Sequence, residues 1–369
     1  MGRRPRGGNL PTIYDVARAA GVAPSTVSRA FSRPGRVKSE TAERIRAVAA
    51  ELGYRTNPVA RALPTGRTGM IAMVLSDVTN PFYFEIIRGA QAAAAEAGYT
   101  ILLADAQESV QLEKEAVERL LPTVEGLVLG TSRMPDSAIR RAAKQRPTVV
   151  LNRAVADVPS VVPDNASGTR KAVEHLHHLG HRSITYVAGP EASWADGMRW
   201  RSLRESAQTS DMTVRRVGPY PPTVGGGAAA TAAVLQLPTS AVLAYNDLLA
   251  IGLMRGLAEA RVPVPQHVSV VGFDNIFGSD FCTPSLTTVG SPLRALGVSA
   301  LQYLVVQMKG VPPHTGEPLM LPMQLVVRGS TARRRPAYRS RKSTSPARGS
   351  TSVSGSASNA AMSTSAGSR

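Results

Sequence analysis

The sequence predicts a small all-α module at the N-terminus, followed by an α/β body with parallel sheets. Residues 11–56 carry apolar side chains at helical spacing, broken by glycines, whereas short apolar strands alternate with helix-length segments from Met70 onward. Charge divides the chain at the same place. Residues 1–67 hold 13 Lys and Arg against 4 Asp and Glu, a net charge of +9, whereas residues 68–330 hold 22 of each.

Composition bounds the class of protein before any motif is considered. The chain has 369 residues, enough for two to three domains at about 150 residues each. Its one cysteine, Cys282, excludes an internal disulfide and a Cys-based zinc site. No apolar stretch reaches the ~18–20 residues that span a bilayer, and no apolar segment follows the basic start. We therefore expect a cytoplasmic protein with no membrane partner.

Five segments follow from these patterns. Residues 1–10 are rich in Gly and Arg and are expected to be a disordered basic arm. The helical module covers 11–56, a linker with one short helix covers 57–67, and the body covers 68–330. Residues 331–369 hold 8 basic residues and no acidic ones, and are expected to be a disordered tail. A basic module on a neutral body favours a polyanion binder with a separate sensing or catalytic domain.

The first two helices of the module have the pattern of a helix-turn-helix. Thr12 and Asp15 form a capping pair, and Gly21 supplies the turn. The second helix is expected over about 24–31 and the third over about 39–52. One face of the third helix is apolar: Ile45, Val48, Ala49 and Leu52.

The second helix has an outward face suited to DNA. The side chains on this face are Pro24, Ser25, Thr26, Ser28 and Arg29. Such a helix presents its N-terminal half to base edges in the major groove, where Arg29 can bind guanine through two hydrogen bonds. The alternative is a helical core module that binds no nucleic acid.

The pattern of the body predicts strands that alternate with helices. Strands are expected over 70–76, 99–104, 126–130, 147–151, 183–188, 213–217, 241–244, 268–273 and 319–327. The segments between them are of helix length, for example 83–97, 109–120, 167–179, 227–235, 247–260 and 293–308. Near-continuous apolar strands are typical of a parallel sheet covered on both faces. These residues could form one large doubly wound domain or two smaller ones.

A longer string of residues matches a known signature. It runs through Ile13-Tyr-Asp-Val-Ala17, Gly21-Val22, Thr26-Val-Ser-Arg29 and Asn57-Pro-Val-Ala-Arg-Ala-Leu63, and the match covers about residues 11–331. This pattern resembles the LacI/GalR transcriptional regulators. The resemblance implies a small helix-turn-helix headpiece joined to a periplasmic-binding-protein-like core of two doubly wound subdomains. It also implies a sequence-specific repressor that binds a pseudo-palindromic operator in double-stranded DNA as a homodimer.

The linker would hold a helix of about two turns, capped by Asn57 and ended by Pro64. An isolated helix that short is unstable in water, so it would form only against a symmetry mate and DNA. The resemblance implies that Leu63 wedges a base step in the minor groove, with Val59 and Ala62 on the partner helix. A plain interdomain linker is the alternative. The full set of residues expected to contact DNA is Thr12, Tyr14, Pro24, Ser25, Thr26, Ser28, Arg29, Lys38, Asn57, Val59, Ala60, Arg61 and Leu63.

Two positions near the linker carry further expectations. Lys38 stands where the resembled family usually has a small hydroxyl residue. Either Ser39 caps the third helix instead, or Lys38 contacts a phosphate. Arg67 is likewise suited to a phosphate contact.

Polar side chains follow several predicted strands, at the edge where ligands bind in open α/β sheets. Carboxylates, amides and guanidinium groups hydrogen-bond to hydroxyls, and aromatic rings stack on the apolar face of a sugar or base. In the resembled family these positions line a cleft between the subdomains, which implies a small, sugar-like effector. The effector-binding set so implied is Asp77, Asn80, Phe82, Tyr83, Trp194, Arg199, Tyr220, Asn246 and Asp274. Among their neighbours, Asp247 is expected to cap a helix and Phe84 to lie in the core, and Arg153 is left between cleft and surface.

Two alternatives come from other classes of protein. An α/β enzyme carrying a DNA module is one, but the sequence holds no phosphate-binding loop, Gly-x-Ser-x-Gly elbow or His-Glu-x-x-His pair. Asp77 and Asp274 could form a carboxylate pair for glycoside chemistry, yet they are better explained as acceptors for sugar hydroxyls. The other is a sugar-binding protein of the transport type, which the N-terminal module argues against. The clustered histidines, expected at the surface and at helix ends, lack an acidic or Cys partner, so no metal or other cofactor is expected: His175, His177, His178 and His181.

Overall fold

The computed structural model describes residues 11–32, 35–54, 67–312 and 316–334. Its N-terminal part is a headpiece of three helices, α1 (Ile13–Ala20), α2 (Pro24–Ser32) and α3 (Ser39–Leu52). None of the helices within these ranges is long and apolar enough to cross a membrane.

Local signals at the helix ends shape the headpiece. The Asp15 carboxylate accepts hydrogen bonds from the Thr12 backbone N–H at 2.9 Å and from its hydroxyl at 2.6 Å. Gly21 ends α1 with φ +65°, a conformation in which glycine has no Cβ penalty. The fully buried side chains that join the three helices are Val16, Val27 and Ile45.

The structure decides two details of α3. Leu52 is 41% exposed rather than buried, because the helix ends there and the side chain lies beyond the three-helix core. Ser39 does not cap the helix. The N-cap position is Lys38, whose side chain makes no capping hydrogen bond.

The body contains twelve strands in two six-stranded sheets within the described ranges. The strands are β1 (Met70–Leu75), β2 (Thr100–Asp105), β3 (Gly126–Gly130), β4 (Thr148–Leu151), β5 (Ser160–Pro163), β6 (Ser183–Val187), β7 (Thr213–Val217), β8 (Ala241–Ala244), β9 (Ser269–Asp274), β10 (Thr287–Gly290), β11 (Leu319–Leu321) and β12 (Gln324–Val326). The helices are α4 (Phe82–Glu96), α5 (Val110–Leu120), α6 (Asp136–Gln145), α7 (Asn165–His178), α8 (Trp194–Thr209), α9 (Val224–Ala229), α10 (Thr231–Leu235), α11 (Asp247–Glu259) and α12 (Leu293–Met308).

Each sheet forms the centre of one subdomain. The first has the order β11-β5-β4-β3-β1-β2 and the second β12-β10-β9-β8-β6-β7, with every pairing parallel except that of β10 and β12. In the first sheet β1 lies between β2 and β3, and in the second β6 lies between β7 and β8. The strand order reverses at these points, so a crevice opens at the carboxyl ends of the strands.

Three details of the body differ from the sequence prediction. The strand expected over 319–327 is two strands in different sheets, because Pro322 separates them and has no N–H to continue a ladder. The helix expected over 227–235 is divided into α9 and α10 at Ala230. The sequence prediction also missed β5 and β10, which are only four residues long.

Helix α12 ties the two subdomains together. It follows β10 of the second sheet in the chain but packs against α4 and the core of the first sheet. The approach of α4 and α12 requires glycine, because a Cβ on Gly297 would lie 2.0 Å from the Ile86 carbonyl oxygen, and one on Gly89 would lie 2.2 Å from that of Arg294. Helix α12 therefore joins the chain of the second sheet to the core of the first subdomain.

Candidate functional site

The outward surface of the headpiece is set by what α2 buries. Val27 and Ala30 lie in the headpiece core, which leaves Ser25 and Arg29 exposed one turn apart. The other predicted DNA contacts of the headpiece are exposed to different degrees. Tyr14 is 65% exposed, Thr12 and Lys38 are exposed, and Pro24, Thr26 and Ser28 are half-buried.

The predicted linker contacts lie outside the described residues: Asn57, Val59, Ala60, Arg61 and Leu63. Arg67, also expected to contact a phosphate, is described. Its guanidinium ion-pairs with Glu125 at 3.3 Å and donates to the Tyr99 hydroxyl at 2.6 Å. These contacts fix the chain just before β1.

A cavity lies between the two subdomains, at the carboxyl ends of both sheets. Its lining includes six residues of the predicted effector set: Asn80, Phe82, Tyr83, Arg199, Asn246 and Asp274. The first subdomain contributes the first three and the second contributes the rest. Residues more than a hundred positions apart therefore meet in one cleft.

Arg199 is the central charge on the second-subdomain side. Its side chain is buried, and its guanidinium donates to Asn165 Oδ1 at 2.9 Å, to Asp274 Oδ1 at 3.1 Å and to the Tyr245 carbonyl oxygen. It also lies over the ring of Phe273, 4.1 Å from the centroid. Burial raises the pKa of Asp274, and the Arg199 cation opposes that rise. The pair gives the cleft a fixed fork of donors beside an acceptor.

The start of α8 is held so that Arg199 points into the cleft. Asp196, one turn earlier, accepts hydrogen bonds from the Tyr186 hydroxyl at 2.9 Å and the Gly189 N–H at 2.8 Å. It also ion-pairs with Arg216 at 2.6 Å. Burial raises the pKa of Asp196, and these donors counteract that effect. Asp196 therefore anchors α8 to the end of β6 without entering the cleft.

Two aromatic side chains border the cleft on the first-subdomain side. Tyr83 is buried, and its hydroxyl bonds to Ser76 Oγ at 2.8 Å and to the Gly130 carbonyl at 3.3 Å. Phe82 packs edge-on against Tyr83 with ring centroids 5.1 Å apart. Tyr83 thus closes the base of the crevice beside β1 and β3, and Phe82 lies next to it along the lining.

The same architecture recurs in proteins that match this chain. Bacterial regulatory proteins of the lacI family match residues 12–57, and a periplasmic binding protein-like domain matches residues 173–331. The HTH-type transcriptional repressor CytR of Escherichia coli K12 is 32% identical over 328 residues, which cover 87% of this chain and 96% of CytR. The ribose operon repressor of Halalkalibacterium halodurans is 31% identical over 326 residues, covering 87% of this chain and 97% of that protein.

Solved structures of related regulators have a similar fold. The lac repressor dimer bound to operator and the anti-inducer ONPF has a TM-score of 0.78 at 29% identity, covering 88% of this chain and all of that one. The regulator CelR in complex with cellobiose has a TM-score of 0.63 at 30% identity, covering 87% and 99%. A LacI family regulator from Enterococcus faecium with bound ribose has a TM-score of 0.65 at 29% identity, covering 72% and 100%.

The chain belongs to the LacI family. It is a transcriptional regulator with a helix-turn-helix headpiece and a periplasmic-binding-protein-like core, as the resemblance implied. Because the matched relatives are repressors, membership decides against the enzyme and transport-protein alternatives. Within the described ranges, no group of three or more His, Cys, Asp or Glu side chains could hold a metal ion.

Three residues of the predicted effector set do not line the cleft of this LacI-family chain. Asp77 closes its own turn by accepting from the Thr79 N–H at 2.9 Å and hydroxyl at 2.6 Å. Trp194 and Tyr220 pack against the core of the second subdomain. Asp77 is thus engaged within its own turn, and Trp194 and Tyr220 are engaged in apolar packing.

Two further expectations about residues near the cleft are wrong. Asp247 does not cap α11, since Asn246 does so by accepting from the Leu249 N–H at 2.9 Å. The Asp247 carboxylate is fully buried and accepts instead from the Ile276 N–H and from two hydroxyls. Phe84 is 44% exposed rather than part of the core, because α4 turns its other face toward the sheet.

Arg153 and the histidines also find local partners. Arg153 ion-pairs with Asp136 at 2.5 Å and does not line the cavity. His181 is buried rather than on the surface, with its Nδ1 2.9 Å from Ser240 Oγ. Burial lowers the pKa of His181.

The cleft also contains residues that the sequence analysis missed: Glu108, Thr131, Arg133, Asn152, Pro222 and Tyr245. Asn152 directly follows β4, so its position at a strand end could have indicated it. Thr131 and Asn152 have φ values of +55° and +59°, an unusual backbone conformation for residues other than glycine. Nothing in the sequence indicates that Glu108 and Arg133 meet, since their pairing depends on how α5 and β3 pack.

Proposed function

We propose that this regulator represses transcription as a homodimer on a pseudo-palindromic operator. A small sugar-like ligand in the cleft controls its affinity for DNA. The protein acts in the cytoplasm, where bacterial DNA is. The observation that carries the proposal is the cavity lined from both subdomains, in a chain whose N-terminal headpiece is of a DNA-binding family.

The chemistry of the lining supports a hydroxyl-rich ligand. Arg199 and Asn246 offer donors, Asp274 offers a carboxylate, and Phe82 offers an apolar ring. Ribose and cellobiose are bound by two of the structural relatives. A ligand that touches both subdomains stabilises one arrangement of them, and this differential affinity is what couples the cleft to DNA.

Base recognition is assigned to α2. Arg29 and the hydroxyls of Ser25, Thr26 and Ser28 would face the major groove, with Thr12, Tyr14 and Lys38 beside them. Segment 57–67 would be a hinge that enters the minor groove through Leu63, with further contacts from Asn57, Val59, Ala60 and Arg61. The headpiece would cover 11–56 and the effector and dimerisation domain 68–330.

The homodimer is supported by an apolar surface on the second subdomain. Phe277 and Phe281 are 73% and 64% exposed, and their rings pack edge-on 5.0 Å apart. Large exposed aromatics of this kind favour an interface. We expect Phe277→Ser with Phe281→Ser to sediment as a monomer. An unchanged sedimentation coefficient would contradict the assignment of this surface.

The experiment that tests the function begins with selection of duplexes from a random pool by the full-length protein. We expect enrichment of two inverted half-sites at a fixed spacing. The selected duplex is then titrated with protein in the presence of ribose, cellobiose, glucose and other plain sugars. Enrichment of no sequence would refute the DNA-binding proposal, and an operator affinity indifferent to every sugar would refute the proposed ligand class.

A further inference from the structure

Arg133 is a buried cation on the cleft wall of the first subdomain. Its side chain is only 4% exposed, and it lies in the loop that follows β3. The backbone N–H groups of Arg133 and Met134 both donate to the buried Glu113 carboxylate, at 2.8 and 3.2 Å, which holds the loop in place. The position of the guanidinium is therefore fixed by the fold before any ligand arrives.

Glu108 orients this guanidinium. Its Oε2 accepts from Arg133 Nε at 2.7 Å, and both side chains line the cavity. Among the described residues, the two terminal amino groups of Arg133 have no hydrogen-bond partner. Because Nε is occupied, the groups that remain for a ligand are these two amino groups.

An acceptor lies near the same strand ends. Asn152 donates from Nδ2 to Thr131 Oγ1 at 3.3 Å, but its Oδ1 is buried and has no partner among the described residues. A buried, unpartnered amide oxygen is costly, so a ligand that donates to it gains binding free energy. Arg133 and Asn152 thus provide donors and an acceptor on one wall. A hydroxyl group on the ligand can hydrogen-bond to Arg133 and to Asn152, because it both accepts and donates.

The charges of the cleft cancel in pairs. Arg133 is paired with Glu108 at 2.7 Å, and Arg199 with Asp274 at 3.1 Å. These four residues carry all the formal charge among the described residues that line the cavity. A phosphate or carboxylate on a ligand would lose its hydration on entry, and no unpaired cation is present among these lining residues to compensate for that loss.

We propose that Glu108 and Arg133 form a charge-balanced pair that selects an uncharged, hydroxyl-bearing ligand and rejects its phosphorylated form. This inference rests on the proposed function, because it names the charge class of the ligand in the same cleft.

The test compares matched neutral and phosphorylated sugars on the full-length protein. The probes are ribose with ribose 5-phosphate, glucose with glucose 6-phosphate, and fructose with fructose 6-phosphate. Calorimetry gives a dissociation constant for each member. For the wild type, we expect a neutral member to bind and its phosphate to bind at least tenfold more weakly.

The decisive variant is Glu108→Gln, which removes one negative charge and leaves Arg133 uncompensated. We expect this variant to lower the ratio of neutral-sugar affinity to sugar-phosphate affinity at least fivefold. Glu118→Gln is the matched control, because it removes the same charge from a 63% exposed side chain in the same subdomain. The affinity ratio of Glu118→Gln should match that of the wild type. The double variant Glu108→Gln with Arg133→Gln restores charge balance and should again disfavour the phosphate.

The possible results distinguish a failure of this inference from a failure of the proposed function. Wild-type protein that binds a sugar phosphate as tightly as the plain sugar overturns the inference while leaving a ligand-responsive regulator. A ratio unchanged by Glu108→Gln, in a variant whose melting temperature matches the wild type, overturns the role of the pair. Binding of no member of any pair overturns the proposed ligand class, and the inference with it.

Discussion

Replacing Asp247 by asparagine should remove a pH dependence from the stability of the second subdomain. The Asp247 carboxylate is fully buried and accepts hydrogen bonds from the Ile276 N–H at 2.9 Å and from the hydroxyls of Ser279 and Thr288, each at 2.6 Å. Burial, and then the negative charge of Asp274, raise the pKa of Asp247 to about 7. The three donors act against this rise but do not cancel it.

The direction of this pH dependence follows from proton binding in the folded and unfolded states. In the unfolded chain the pKa of an aspartate is about 3.9, so between pH ~4 and ~7 the folded protein holds a proton on Asp247 that the unfolded chain has lost. The free energy of unfolding therefore falls as the pH rises through this window, by at most ~1.4 kcal/mol per pH unit. Across the window the contribution of this one group is about 4 kcal/mol.

The asparagine side chain would be neutral at every pH and close in shape to aspartate. Its amide oxygen can accept from the Ile276 N–H and the Ser279 hydroxyl, and the Thr288 hydroxyl can turn to accept from its NH₂ group. We therefore expect Asp247→Asn to gain stability relative to wild type as the pH rises from 5 to 8. The assay is urea unfolding at half-unit pH intervals, with Asp280→Asn, an exposed carboxylate in the next segment, as the control. Stability curves of Asp247→Asn and wild type that run parallel from pH 5 to 8 would refute the reasoning.

Three further predictions concern DNA and ligand. Arg29→Ala should weaken binding to the selected operator by ~1–3 kcal/mol and largely spare scrambled duplexes, as measured by competition titration; equal losses on both would place Arg29 on phosphates. Asp274→Asn should abolish the sugar response and keep operator affinity, as measured by calorimetry and a DNA shift assay. Asparagine is chosen because its amide oxygen can still accept from the buried Arg199 guanidinium, whereas alanine would remove the acceptor along with the charge; retained sugar affinity would place Asp274 outside the site. Removal of residues 335–369, which hold 6 basic and no acidic residues, should flatten the salt dependence of operator binding and leave the preferred sequence unchanged; identical slopes of log affinity against log salt would mean that this segment does not contact DNA.

Much of the architecture was determined by short-range pattern. The capping pair Thr12 and Asp15 and the turn at Gly21 mark the headpiece helices, because caps and left-handed turns depend on a few neighbouring residues. Apolar strands alternating with helices indicate a doubly wound body, since a strand buried on both faces must be apolar throughout. A polar residue at the end of such a strand lies at the ligand edge of the sheet, as Asp274 does at the end of β9. Arg199, in the helix after β6, was assigned to the cleft through the family resemblance.

The partner of each polar group was decided only by the tertiary structure. The sequence could not pair Glu108 with Arg133, 25 residues away, or show that Asp247 bonds to Ser279 rather than capping its own helix. It also could not place β11 and β12 in different sheets, because both are short and apolar and only Pro322 and Met323 separate them. A buried polar group takes whichever partner the packed elements bring within about 3 Å, and that partner depends on the burial and approach of distant segments rather than on local propensity.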